Sequence, residues 1–320
     1  MNRDELQPDF APAPFFATSR TFDFGVYAPA GFAVEPDAVA RAADRLRSMG
    51  HRVVLDEGVL GRHTRFAGTD DERLAAIDRI AARADVDVAI ALRGGYGTTR
   101  LLERLDFTAL ARSGKRWLGH SDFTAFQLAA LARAGIVTYA GPSFAFDFGA
   151  ATPSAFTLSH CFGLLGASEY DFECALDGPT RVTVDGVLWG GNLAMVASLV
   201  GTPYLPKVEH GILFVEDVGE HPYRVERMLL QLHYAGILAR QRAILLGAFT
   251  EYSLAPNDGG YDLDAAVARL REACGVPIYT GLPFGHVRDK LTLPVGGRLA
   301  LDVRDGAARL ALHDYRARRR

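Results

Sequence analysis

Cysteine is scarce in this sequence, which has only three in 320 residues and no Cys-x-x-Cys pair. Cys161, Cys174 and Cys274 are widely spaced and odd in number, a pattern that argues against a disulfide framework or a zinc site and fits a reducing compartment. The sequence also lacks any run of about 18 apolar residues, the length that a membrane-spanning helix needs. These absences predict a cytoplasmic protein with buried structural thiols and no membrane association.

An excess of positive charge is also missing. The chain has 35 Lys and Arg against 38 Asp and Glu, a formal net charge of −3. No basic field is available for a polyanion, so no nucleic-acid partner is predicted, and the basic cluster at 316–320 is interpreted as a solvated tail. The nine histidines form no His-x-x-x-His or His-Glu-x-x-His pattern. Neither a metal nor a cofactor is therefore predicted.

The chain does have enough apolar material for two domains, with 49% hydrophobic and 23% charged residues. Residues 1–20 contain prolines and acids and are expected to be a loose N-terminal extension. Residues 21–150 are expected to form the first domain and residues 151–180 a linker. Residues 181–320 are expected to form a second, smaller domain of mixed α/β structure.

Short β-rich runs alternate with helical patterns in the first domain. The predicted strands are Phe22–Ala28, Arg52–Leu55, Val86–Leu92, Trp117–Gly119 and Ile136–Ala140, and the predicted helices lie near 36–49, 70–84, 98–105 and 122–134. This alternation predicts a doubly wound, flavodoxin-like parallel sheet with helices on both faces. Ligand sites in such sheets gather at the carboxyl ends of strands. One of these ends carries the glycine-rich loop 94–97 and another carries Ser121.

The second domain begins with a predicted hairpin over Arg181–Trp189, in which Asp185-Gly186 is a tight-turn signal. Gly190-Gly191-Asn192 is expected to open a helix. The remaining predicted elements are strands at Gly211–Glu216 and Ala243–Thr250, helices near 221–235 and 262–273, and mainly β segments from Pro277 to about residue 314. One helix is also predicted near 153–164, within the linker.

Ser121 follows the fourth predicted strand and precedes a helix. A serine on a sharp strand-to-helix turn has the geometry of a nucleophile elbow. The usual Gly-x-Ser-x-Gly pattern is incomplete here, because Phe123 stands in place of the last glycine. Ser121-Asp122 before an apolar run is also an ordinary helix N-cap, so the local sequence leaves both interpretations open.

Two further segments carry residues that could complete a catalytic site. The apolar strand at 211–215 ends on two consecutive acids, Glu216 and Asp217, either of which could orient an imidazole or cap the following helix. His286 ends the turn-rich segment 281–286, where a side chain can be aimed into a cleft, although a lone histidine is more often structural.

The glycine-rich loop offers candidates for substrate contact. Glycines after a strand let the backbone approach a ligand closely and point N–H groups at it, which applies to Gly94 and Gly95. Arg93 beside them is a candidate for holding a terminal carboxylate. A purely structural turn, and an ion pair of Arg93 within the fold, are the alternatives.

Six motifs in order make the chain resemble the LD-carboxypeptidases, a family of serine peptidases. They are Arg-Gly-Gly-Tyr-Gly-Thr-Thr-Arg at 93–100, Gly-His-Ser-Asp-Phe-Thr-Ala at 119–125, Leu-Trp-Gly-Gly-Asn-Leu-Ala at 188–194, Gly-Thr-Pro at 201–203, Glu-Asp-Val-Gly-Glu-His-Pro-Tyr-Arg-Val-Glu-Arg-Met-Leu at 216–229 and Gly-Leu-Pro-Phe-Gly-His at 281–286. The resemblance implies a catalytic triad of Ser121, Glu216 and His286 at the interface of the two domains. It also implies an oxyanion hole formed by the Asp122 amide and an amide of the glycine loop, for which Gly95 is the expected donor.

The resemblance further implies the activity. It predicts a hydrolase of the serine protease type, a carboxypeptidase that removes the terminal D-alanine from cytoplasmic muropeptide tetrapeptides (L-Ala-D-Glu-meso-diaminopimelate-D-Ala) in peptidoglycan recycling during cell wall turnover. It also implies a homodimer. The alternatives are a related serine peptidase that cleaves aminoacyl-nucleotide antibiotics for self-immunity, and a silent ligand-binding module on the same fold, in which Ser121 would be only a cap.

Overall fold

The computed structural model describes residues 20–316, which form two sheets with helices packed around them. The predicted N-terminal extension, apart from Arg20, and residues 317–320 of the basic tail lie outside the described residues. The strands are β1 (Asp23–Tyr27), β2 (Arg52–Leu55), β3 (Val88–Ala91), β4 (Arg116–Gly119), β5 (Thr138–Ala140), β6 (Tyr170–Ala175), β7 (Arg181–Asn192), β8 (Gly211–Val218), β9 (Gln241–Thr250), β10 (Ile278–Thr280), β11 (Leu293–Val295), β12 (Arg298–Arg304) and β13 (Ala307–His313). The helices are α1 (Pro36–Ser48), α2 (Asp70–Ala82), α3 (Phe107–Arg112), α4 (Thr124–Ala134), α5 (Ala155–Gly166), α6 (Leu193–Ser198), α7 (Pro222–Tyr234) and α8 (Leu263–Ala273).

The first sheet has the strand order β11-β5-β4-β3-β1-β2. Strands β1 to β5 are parallel and follow the order 2-1-3-4-5, which is the flavodoxin-like arrangement, while β11 is antiparallel to β5. The doubly wound fold predicted for this part of the chain is confirmed. In this topology the carboxyl ends of β3 and β4 lie side by side, so the glycine loop and Ser121 share one edge of the sheet.

Local sequence signals explain where the elements of this domain begin. All four residues of β3, Val-Ala-Ile-Ala, are buried, as expected for a parallel strand covered on both faces. Helix α2 begins with a reciprocal capping box between Thr69 and Glu72, and α1 has a proline at its first turn. Among residues 20–316, no helix is long and apolar enough to cross a membrane.

The second sheet is mixed, with the order β10-β9-β8-β7-β12-β13-β6. Strands β7 to β10 are parallel, and β7, β12, β13 and β6 are antiparallel neighbours. The predicted hairpin over Arg181–Trp189 is wrong, because β7 runs without a turn through Asp185-Gly186. Asp185 remains in the extended strand, where its carboxylate bonds Arg298 on β12 and accepts a 2.7 Å hydrogen bond from His313 on β13. Cross-strand partners therefore override the local turn signal.

Two segments connect the sheets. The predicted linker 151–180 contains α5 and also β6, which is the edge strand of the second sheet. The chain later leaves the second sheet after β10 and enters the first sheet at β11. Residues 281–292, called the crossover segment below, therefore span the junction between the two sheets, and His286 lies within this segment.

Candidate active site

Ser121 sits on a strained turn between β4 and α4. Its φ is +63°, a left-handed conformation that is uncommon for residues other than glycine. Residues 121–123 form a single 3-10 turn, and Phe123, the residue that caps α4, makes no side-chain cap bond. The Ser121 hydroxyl instead contacts a histidine from the second half of the chain. This geometry is that of a nucleophile elbow rather than an N-cap.

Three predicted residues meet at this turn. His286 Nε2 lies 3.0 Å from Ser121 Oγ, and His286 Nδ1 lies 2.7 Å from Glu216 Oε2. Glu216 is fully buried, while His286 is partly exposed. When Nδ1 carries the imidazole proton and donates a hydrogen bond to the Glu216 carboxylate, Nε2 is unprotonated and can accept the serine proton. The order of contacts is that of a Ser-His-acid triad.

The two consecutive acids near the end of β8 share a contact with Asn192 but differ in their other partners. The register of β8 against β9 shifts between Val215 and Asp217, where β9 has one residue more than β8, so Glu216 has no paired residue on β9. Asp217 accepts hydrogen bonds from the amide of Ala194 at 2.9 Å and from Asn192 Nδ2 at 2.8 Å. Glu216 therefore reaches the imidazole, whereas Asp217 holds the start of α6.

Burial raises the pKa of Asp217 from its ordinary 3.8 to about 6. Between pH 3.8 and about 6, Asp217 is protonated in the folded protein but ionised in the unfolded chain. The contribution of Asp217 to the free energy of unfolding is therefore lost as the pH rises through about 6. A shift of this size corresponds to about 3 kcal/mol. We expect the stability of wild type relative to Asp217→Asn, measured by urea unfolding, to fall by that order between pH 4 and 7.5. If the difference in free energy of unfolding between wild type and Asp217→Asn stays constant or grows over this pH range, the raised pKa of Asp217 is contradicted.

A close backbone approach brings His286 to Glu216. Gly285 has φ +138°, and a Cβ at this position would lie 3.1 Å from Glu216 Oε2 and 3.0 Å from the carbonyl of Ala248. The amide of Ala248 also donates a 2.8 Å hydrogen bond to the carbonyl of Phe284. Only glycine fits this position without strain, so the Phe-Gly-His sequence lets the crossover segment pass directly over the buried acid.

The crossover segment is anchored by contacts that sequence analysis did not find. Lys290 is buried and pairs with Asp147 at 2.5 Å, and its amide donates a 2.9 Å hydrogen bond to Thr157 Oγ1. Asp289 accepts a 2.5 Å hydrogen bond from Ser154 at the start of α5. More than a hundred positions separate the partners along the chain, so local spacing carries no signal of these contacts. They anchor the C-terminal part of the segment to residues 147–157.

Asn192 and His120 were also missed as site residues. Asn192 Nδ2 lies 3.4 Å from Glu216 Oε1, and its amide donates a 3.0 Å hydrogen bond to Thr124 Oγ1 on α4, which ties the second sheet to the elbow. The His120 ring lies 4.7 Å from the His286 ring, centre to centre. Burial lowers the pKa of His120 well below its ordinary value, so this ring stays neutral. Both residues lie inside the family motifs at 119–125 and 188–194, which are the sequence signal that points to them.

His120, Glu216 and His286 also present ligand atoms that lie within 4.8 Å of one another. Such a set could hold a metal ion by distance alone. Glu216 and His286 are, however, already hydrogen-bonded to each other, and His286 is bonded to Ser121 as well. The contacts therefore favour the triad over a metal centre.

The glycine loop lies directly against the elbow. A Cβ at Gly94 would fall 2.7 Å from Ser121 Cβ and 3.1 Å from the Asp122 amide nitrogen, a space that only glycine leaves open. The buried Asp122 carboxylate accepts a 2.9 Å hydrogen bond from the amide of Thr98, just beyond the loop. Gly94 and the Asp122 amide thus lie beside Ser121, and Gly95 follows Gly94 in the loop. Backbone N–H groups in this region could hold an oxyanion.

Arg93 precedes the glycine loop and has no acidic partner among the described residues. Within residues 20–316, no carboxylate lies within 4.0 Å of its guanidinium. Nη1 donates a 3.3 Å hydrogen bond to the carbonyl of Phe32, and the group lies 5.1 Å from the centre of the Phe146 ring. Burial lowers the pKa of Arg93 somewhat. Residues 20–316 therefore do not contain the alternative, an ion pair between Arg93 and an acid of the fold.

The two halves of the chain match the two domains of one known family. Residues 24–141 match the LD-carboxypeptidase N-terminal domain and residues 185–301 match the LD-carboxypeptidase C-terminal domain. A murein tetrapeptide carboxypeptidase of Pseudomonas aeruginosa is 32% identical over 286 residues, which cover 86% of this chain and 91% of that protein. The crystal structure of a muramoyltetrapeptide carboxypeptidase from Oxalobacter formigenes is 47% identical, with a TM-score of 0.87 over 92% of this chain and 99% of that chain.

A second group of structures shares the fold alone. The microcin C7 self immunity protein MccF, in its wild-type apo state, has a TM-score of 0.85 over 95% of this chain and 98% of that chain, at 21% identity. Identity at this level carries no argument about substrate. Both domain matches, the more similar relatives and the motifs around Ser121 and His286 agree, and this chain belongs to the LD-carboxypeptidase family.

Proposed function

We propose that this protein is a serine LD-carboxypeptidase that releases the terminal D-alanine from muropeptide tetrapeptides, as part of peptidoglycan recycling in the cytoplasm. The observation that carries the proposal is the continuous hydrogen-bond chain from Ser121 through His286 to Glu216. The 47% identity to a muramoyltetrapeptide carboxypeptidase supports the choice of substrate.

In the proposed mechanism, His286 Nε2 takes the proton of Ser121 as Oγ attacks the carbonyl carbon of the scissile peptide bond. The resulting oxyanion accepts hydrogen bonds from the Asp122 amide and an amide of the glycine loop, Gly95 being our choice. Glu216 keeps the imidazole oriented and stabilises its positive charge. His286 then protonates the departing amine of D-alanine, and water hydrolyses the ester on Ser121 by the same steps. The neutral His120 ring adds no competing charge beside the imidazolium.

The direct test is to incubate the protein with the tetrapeptide and measure released D-alanine. A parallel reaction with an aminoacyl-nucleotide tests the self-immunity alternative, which rests only on the shared fold. Labelling by a serine-directed phosphonate, located by mass spectrometry, tests the silent binding module. Label on Ser121 together with D-alanine release supports the proposal, whereas cleavage of the nucleotide conjugate alone would replace it.

Arg93 is proposed to hold the terminal carboxylate of the substrate, together with amides of the glycine loop. Its guanidinium is unpaired with any acid of residues 20–316 and lies beside the loop that contacts Ser121. We expect amidation of the D-alanine carboxylate to cost about 2–4 kcal/mol in transition-state binding, because a charged hydrogen bond would be left unpaired. The measurement is kcat/KM on the free-acid and amidated tetrapeptides. Equal values would favour an endopeptidase or the nucleotide-cleaving alternative.

Chelation is expected to leave activity unchanged, because the proposed mechanism routes no step through a metal ion. The measurement is D-alanine release before and after dialysis against EDTA. Loss of activity that zinc restores would contradict the serine mechanism and identify His120, Glu216 and His286 as metal ligands.

A homodimer is part of the proposal on the ground of family membership alone. Light scattering coupled to size-exclusion chromatography gives the mass in solution, and a mass near that of one 34.7 kDa chain would refute it.

A further inference from the structure

Three arginines surround the glycine loop, each lying over an aromatic ring. Arg62 is 4.3 Å from the centre of the Phe32 ring, Arg65 is 5.6 Å from that of Tyr96, and Arg93 is 5.1 Å from that of Phe146. Stacking of this kind orients the plane of a guanidinium and leaves its N–H groups free. We call Arg62, Arg65 and Arg93 the arginine cluster.

The cluster is continuous with the proposed active site. Phe32, below Arg62, offers its carbonyl to Arg93 Nη1 at 3.3 Å. Tyr96, below Arg65, follows Gly95 in the loop, and a Cβ at Gly95 would lie 3.5 Å from Arg93 Nη2. The loop that carries Tyr96 is the one that contacts Ser121. A substrate bound at Ser121 would therefore extend along these groups.

Nearby arginines are neutralised, but those of the cluster are not. Arg73 and Arg100 both pair with Asp70, at 2.5 and 2.9 Å, and Arg104 pairs with Asp71 at 2.6 Å. Within residues 20–316, no carboxylate lies within 4.0 Å of any arginine of the cluster. Arg65 is close enough to Arg93 for its charge to lower the pKa of that group. Like charges without a counter-ion form an anion-binding site when a ligand supplies the negative charge.

We propose that Arg65, assisted by Arg62, binds a second free carboxylate of the substrate while Arg93 holds the terminal one. The inference rests on the proposed function, and it narrows the substrate to peptides with at least two free carboxylates. The tetrapeptide has three, on the D-glutamate, on the D-centre of diaminopimelate and on the terminal D-alanine. Bidentate contact with a guanidinium distinguishes a carboxylate from its amide, which can offer only one acceptor oxygen.

The test compares wild type and Arg65→Gln on three tetrapeptides. One is the full peptide, one has lysine in place of diaminopimelate, and one has the D-glutamate α-carboxylate amidated. On the full peptide we expect Arg65→Gln to lower kcat/KM by about 10- to 100-fold, the scale of one charged hydrogen-bonded contact. On the peptide that lacks the carboxylate read by Arg65, the same substitution is expected to change kcat/KM by less than about threefold, since the contact is already absent.

Arg181→Gln is the matched control. It removes the same charge at the start of β7, eleven residues from Asn192 and so about 35 Å away along the strand, and we expect it to leave kcat/KM unchanged. Calorimetric binding of the full peptide to Ser121→Ala, with and without Arg65→Gln, gives a second readout that does not depend on turnover. We expect binding to weaken about tenfold when Arg65 is replaced.

The outcomes separate the two proposals. Absence of D-alanine release by wild type would refute the proposed function. Normal release by wild type, with Arg65→Gln acting equally on all three peptides or on none, would overturn the carboxylate site alone. A loss that disappears with one particular carboxylate would support the site and identify the group that Arg65 reads.

Discussion

Replacing Ser121 by alanine is expected to lower kcat for D-alanine release by about 10⁴- to 10⁶-fold, the range for loss of a triad member. The hydroxyl is the proposed nucleophile, and it is the group that His286 Nε2 contacts, at 3.0 Å. His286→Ala is expected to fall to a similar level. The double variant should lose little more, because the members of a triad act as a unit.

The same substitution is expected to leave folding intact. Alanine keeps the Cβ, so the strain of φ +63° is unchanged, and circular dichroism and urea unfolding should match wild type. Ser121→Gly is the informative control, because glycine relieves that strain. It should be equally inactive yet more stable, by about 1 kcal/mol. Turnover of Ser121→Ala within tenfold of wild type would exclude Ser121 as the nucleophile.

Glu216→Gln is expected to lower kcat by about 10⁴-fold while keeping the fold. Glutamine has nearly the same shape, but its amide can donate to His286 Nδ1, where Glu216 now accepts at 2.7 Å. Such a donor favours the tautomer that carries its proton on Nε2, and this tautomer cannot take the proton of Ser121. The measurement is kcat together with the unfolding midpoint of the variant.

Asp217→Asn is the control for the acidic pair, since Asp217 is the neighbouring buried carboxylate. It contacts Asn192 and the start of α6 rather than the imidazole. We expect kcat of this variant to stay within about tenfold of wild type, because no group that touches the reacting atoms changes. An inactive Asp217→Asn beside an unaffected Glu216→Gln would show that the wrong acid had been chosen.

The sequence by itself determined the five parallel strands of the first sheet and the position of the elbow, but not the added strand β11. Buried runs such as Val88–Ala91, separated by amphipathic helices, admit few arrangements other than a parallel sheet, and the short connections lead to the 2-1-3-4-5 order. The break at Gly119-His120-Ser121 marked a strand-to-helix turn, and the order of motifs identified the family. Each of these signals is contained in a short stretch of the chain, so it can be interpreted without the fold.

Only the tertiary structure decided how the site is assembled. Glu216 and Asp217 are adjacent carboxylates with equal local signals, and only the family resemblance distinguished them in the sequence. The contact of Glu216 with His286 and of Asp217 with the Ala194 amide depends on how β8 meets the crossover segment and α6. Asp185-Gly186 carries a turn signal, yet β12 and β13 hold it in an extended strand. The pairing of Lys290 with Asp147, which anchors the segment carrying His286, joins positions 143 residues apart. Contacts between distant segments depend on the packing of the whole chain, and local pattern contains no information about them.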